Sequence, residues 1–106
     1  MVEHDIRCFH IVLDHMDRDD PNYLQAKTVL GWSYFYAANA SSDKEYASKR
    51  YEEAVPIFEW LIEVQPEEKD HYAKLGLCLS RLGRKEEAGQ YLMAYEEMKE
   101  REVIGE

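Results

Sequence analysis

The stretch KLGLCLSRLGRKEEAGQYL, residues 74–92, reads as helix almost throughout, yet it carries Gly76, Gly83 and Gly89. A glycine inside a helix costs about 0.5–1 kcal/mol relative to alanine. Each of the three therefore needs a reason. The spacing around them is regular: Tyr72-x2-Leu75-Gly76-x2-Leu79, then Gly83, then Ala88-x3-Leu92. Upstream the same kind of spacing recurs as Lys27-x2-Leu30-Gly31-x2-Tyr34, then Ala54-x3-Phe58, then Pro66.

Both runs resemble the tetratricopeptide repeat, W-x2-L-G-x2-Y…A-x3-F…P, in which two antiparallel helices form each repeat. Gly76 and Gly31 then let a neighbouring helix approach closely, helped by the small Ala88 and Ala54. Gly83 ends one helix and opens a turn, where a positive φ is wanted. Gly89 has neither role. The second copy keeps the family spacing, with 12 positions from Gly76 to Ala88. It departs from the pattern in having Tyr72 for the opening tryptophan and Glu100 for the closing proline. In the first copy 23 positions separate Gly31 from Ala54, 11 more than in the second. Eleven residues are about three helical turns, so the insert lengthens both helices of that pair without turning their faces.

Within the insert, Ser42 followed by Glu45 has the spacing of a capping box. Ala47, Tyr51, Ala54, Phe58 and Leu61 continue one stripe. Pro56 either kinks a continuous helix or marks a later start near Glu52, and the stripe favours a continuous helix bent near Glu52. Before Pro21, Phe9, Leu13 and Met16 repeat the arrangement of Ala54, Phe58 and Leu61 before Pro66, as in half a repeat. The expected fold class is all-α, a single domain over 1–106 forming a right-handed helical-repeat array of five antiparallel helices. These are an N-terminal helix over 3–17, an elongated repeat over 22–66 (helices 22–40 and 42–65) and a second repeat over 69–102 (helices 69–82 and 85–102).

Composition agrees with this class. Hydrophobic residues make up 45% of 106, which separates the chain from disordered sequences despite 33% charged residues. The net charge of −9 is spread along the chain. That disfavours nucleic acid and anionic membrane as partners. No apolar stretch is long enough to span a bilayer, and no secretory leader is recognisable. With only Cys8 and Cys78, a reduced, cytoplasmic setting is expected.

Candidate chemistry is sparse. His4 and Cys8 lie at i, i+4 with His15 further along, but no C-x2-C or H-x3-H pair accompanies them, so no metal is expected. Acidic pairs such as Glu52-Glu53 and Glu86-Glu87 point about 100° apart on a helix and do not converge as general acids and bases must. No nucleophilic triad can be argued from a motif. The chain is expected to be non-enzymatic and without cofactors.

The informative cluster is GWSYFY, residues 31–36. Leu30 and Tyr34 belong to the packing stripe, which directs Trp32, Phe35 and Tyr36 toward another face. By resemblance, the family's ligand groove would use Gln25, Thr28, Trp32, Phe35 and Tyr36 from the first copy. From the second it would use Asp70, Ala73, Leu77, Ser80 and Arg81. Relatives that grip chaperone C-terminal carboxylates place Lys and Asn where this chain has Thr28 and Trp32, so that clamp is missing. A groove of this kind suits a protein or peptide partner with apolar or basic character. Trp32 is open to a second reading, as core covered by the N-terminal helix.

The resemblance implies a protein–protein interaction module, an adaptor or small chaperone. Two relatives of that kind are the secretion-system chaperones that hold an apolar substrate segment and the two-repeat mitochondrial fission adaptor. The alternative is a structural domain that only self-associates. A homodimer is expected because Tyr91, Tyr95, Met98, Val103 and Ile104 make one end apolar, and the elongated hairpin exposes Tyr36 and Tyr46.

Overall fold

Turns of three or four residues join the helices, which makes chain neighbours antiparallel. The computed structural model describes residue 11 and residues 13–104, with backbone alone at 103 and 104. Among the described residues the helices are α1 (Pro21–Ala40), α2 (Lys44–Val64), α3 (Lys69–Arg81) and α4 (Lys85–Ile104), with no strand. The expected helix over 3–17 falls largely outside the described residues, as do His4, Cys8 and Phe9. Ile11, Leu13 and Asp14 are helical, and Leu13 packs against the core.

Local chemistry explains each boundary. Asp20 caps α1, its carboxylate accepting from the Asn22 amide at 2.8 Å, with Pro21 in the first turn where its missing N–H costs nothing. The cap of α2 is Asp43, not Ser42. The helix starts at Lys44, so only the Asp43 carboxylate is placed to accept from Glu45 N (3.0 Å) and Tyr46 N (3.3 Å). The insert is helical from there on, through Pro56, which is exposed. The Glu52 carbonyl that Pro56 leaves without a donor belongs to an exposed residue, where water can satisfy it.

Gly83, at φ +83°, ends α3. Its amide bonds Ser80 O at 3.1 Å, and the Arg84 amide reaches back to Leu79 O at 2.9 Å. These two bonds are a Schellman motif. The first pair has helices of 20 and 21 residues and the second of 13 and 20. Only α3 is short, because α4 runs past the expected end at 102. Lys69 holds its last turns to the start of α3 through Glu102, with Nζ–Oε1 2.9 Å.

Each helix packs on the next in sequence. An added Cβ at Gly31 would lie 2.9 Å from Ile57 Cγ2, and one at Gly76 would lie 2.7 Å from Leu92 Cγ. Both glycines thus mark the close contact within a helix pair. Around Gly89 nothing lies within 4 Å of such an atom.

Leu30 and Tyr34 of α1, Tyr51, Ala54, Phe58 and Leu61 of α2, Leu75, Cys78 and Leu79 of α3, and Ala88 of α4 share one core. Burial pushes the Cys78 thiol up to about 12, so it behaves as a small hydrophobe. Leu92 is only partly buried, since α4 has α3 on one side and solvent on the other. The extents are 41 × 36 × 19 Å. The shortest dimension is about two helix diameters. No helix among the described residues is long and apolar enough to cross a membrane.

Candidate functional site

Apolar residues fall on every face of α1, which a helix with one buried stripe does not require. Tyr23, Ala26, Leu30, Tyr34 and Ala37 face the core. Leu24, Val29, Trp32 and Tyr36 lie outside that stripe, at helical spacing. With Pro21, Gln25, Thr28 and Ser33, and with Gln65, Glu68, Asp70 and His71 from the α2–α3 turn and the start of α3, they line an open groove of about 790 Å³. Val29 and Tyr36 keep 37% and 47% exposure, which leaves them available for contact.

Aromatic packing sets the groove wall. Tyr36 stands edge-on to Trp32 (5.9 Å between centroids) and to Phe35 (5.4 Å). Lys74 of α3 lies over the Trp32 and Phe35 rings at 4.8 and 5.4 Å, joining α1 to α3 side by side. Trp32 itself is half-buried, and its indole Nε1 is buried with no hydrogen-bond partner. At the other wall His71 is 3% exposed. Its Nε2 lies 2.8 Å from Gln65 Oε1, an atom that can only accept. Nδ1 is buried and has no hydrogen-bond partner among the described residues. Burial lowers the His71 pKa, against the opposing pull of the Glu68 and Asp70 carboxylates.

Five of the residues expected in a groove line this one: Gln25, Thr28, Trp32, Tyr36 and Asp70. Phe35 does not. It is 5% exposed and packs in the core at 6.1 Å from the Tyr51 ring, because α1 positions one residue apart turn about 100° and Tyr34 and Phe35 both face α2. Ala73 is partly buried, while Leu77 and Ser80 are exposed, and none of the three lines the groove. Arg81 borders a separate cavity of about 360 Å³ at the far end of α1, with Asn39, Lys44 and Tyr51. The Tyr51 hydroxyl there donates to Asn39 Oδ1 at 2.5 Å, and burial raises the Tyr51 pKa.

Leu24, Val29, Gln65, Glu68 and His71 were not expected. For Leu24 and Val29 the signal in the sequence is the surplus of apolar residues around α1, beyond what its packing stripe uses; Gln65, Glu68 and His71 carry none. No protein-family model, curated protein or solved structure matches the chain.

Proposed function

We propose that the chain is a non-catalytic interaction module, a right-handed tetratricopeptide-like array whose α1–α3 groove holds an apolar segment of a partner protein. The supporting observation is a groove whose wall is formed by Leu24, Val29, Trp32 and Tyr36, with two of the four well exposed. A water-facing arrangement of this kind gains free energy when a partner covers it, at about 25 cal/mol per Å² of apolar surface removed from water. The repeated helix pairs, each with a glycine at its closest approach, support the repeat reading.

Peptide display against the immobilised chain tests the function. Selected sequences should share apolar residues at helical spacing and lose affinity for Val29→Asp and Tyr36→Ala. Selection that is indifferent to both substitutions contradicts the groove reading. A second reading, self-association, draws support from Met93 on α4, which is 68% exposed beside the partly buried Tyr91, Tyr95 and Met98.

A further inference from the structure

The groove is apolar along one wall and acidic at one end. Leu24 and Tyr36 are 12 residues apart on α1, about 18 Å at 1.5 Å per residue, which is the length of roughly three turns of a second helix. Glu68 and Asp70 line the groove toward its Pro21 end, and neither has an ion pair among the described residues. Of the two nearby lysines, Lys69 pairs with Glu102 and Lys74 lies over the Trp32 ring of the groove wall.

The amino termini of α1 and α3 stand at this same end, since Pro21 and Asp70 both line it. Helix amino termini carry partial positive charge and favour the carboxyl end of another helix.

Resting on the groove reading above, we propose that the occupant is an amphipathic partner helix of about three turns running antiparallel to α1. Its apolar side chains pack on Leu24, Val29, Trp32 and Tyr36, and Lys or Arg at its carboxyl end faces Glu68 and Asp70. Antiparallel docking brings together the partner's negative helix end, its basic side chains, and the two positive amino termini with their carboxylates. The reverse orientation would set the partner's positive end against both amino termini.

The test uses the full chain and three fluorescent synthetic helices of about 14 residues. All share one leucine stripe. The first has its lysines in the last turn, the second has the same lysines in the first turn, and the third has glutamates in the last turn. Long-range attraction to the −9 chain is equal for the first two. A difference between them therefore reports the local end of the groove.

Anisotropy titration should give the first peptide at least about tenfold higher affinity than the second, with weaker binding still for the third. Asp70→Lys, checked by thermal melt for intact folding, should remove most of that preference. Equal affinity for the two lysine peptides, abolished for both by Val29→Asp, would overturn the orientation while leaving the groove in place. Binding untouched by Val29→Asp would overturn the groove itself, and this inference with it.

Discussion

Alanine at three glycines separates close helix approach from mere tolerance. At Gly89 no atom lies within 4 Å of an added Cβ. Gly89→Ala should therefore stabilise by the helix propensity gain alone, about 0.5–1 kcal/mol. At Gly31 the new methyl meets Ile57 Cγ2 at 2.9 Å and Phe58 Cζ at 3.4 Å. Ile57 and Phe58 are 6% and 0% exposed, and a β-branched side chain has little rotamer freedom to yield. Overpacking of this kind costs about 1–3 kcal/mol, so after the propensity gain Gly31→Ala should destabilise by about 0.5–2 kcal/mol. At Gly76 the contact is closer, with Leu92 Cγ and Cδ2 both at 2.7 Å and the Ala88 carbonyl oxygen at 3.4 Å. Because Cγ is the branch point of Leu92 and not its free end, Gly76→Ala should also destabilise, and Gly76→Leu should destabilise more. Urea unfolding followed by far-ultraviolet circular dichroism gives all four values. Gly31→Ala as stable as Gly89→Ala would refute the role assigned to close approach.

Leu75, at 0% exposure in the centre of the core, should cost about 2–5 kcal/mol when cut to alanine, read from the same urea curves. Burial depresses the His71 pKa below 6.5, so the unfolded chain binds that proton more readily. The stability this contributes is complete above the ordinary histidine range of about 6.5 and is lost as pH falls from there toward the lower folded value; His71→Gln should flatten that part of the pH profile. Sedimentation at rising salt should show a homodimer tightening as repulsion between two −9 chains is screened, weakened by Met93→Glu, whereas a monomer at every salt concentration would remove self-association.

Much of the architecture was legible because periodicity and punctuation agreed. Leu75-Gly76 and Ala88, Leu30-Gly31 and Ala54, and Gly83 between the last two helices mark packing faces and a stop, all within short range of one another. The cap of α2 was misplaced by one residue because Ser42 and Asp43 are both good caps, and the exact first turn decides between them. The extra length of α4 has no stop signal against it in the sequence, and the Lys69–Glu102 contact beside it joins residues 33 apart. The groove was half legible. Positions carried over from a repeat pattern select one side of each helix but cannot tell Phe35 from Val29, which differ in facing α2 or solvent. His71 and Gln65 reach the groove only through the path of the α2–α3 turn, and no local signal marks that.

Backbone amide shift mapping of the isotopically labelled chain, titrated with the helix that carries lysines in its last turn, tests the central claim most directly. The account predicts saturable shifts at Leu24, Val29, Trp32, Tyr36, Glu68, Asp70 and His71, with the Trp32 indole N–H moving and Met93 to Met98 unchanged. Shifts confined to α4, or scattered over the acidic surface without saturation, would contradict it.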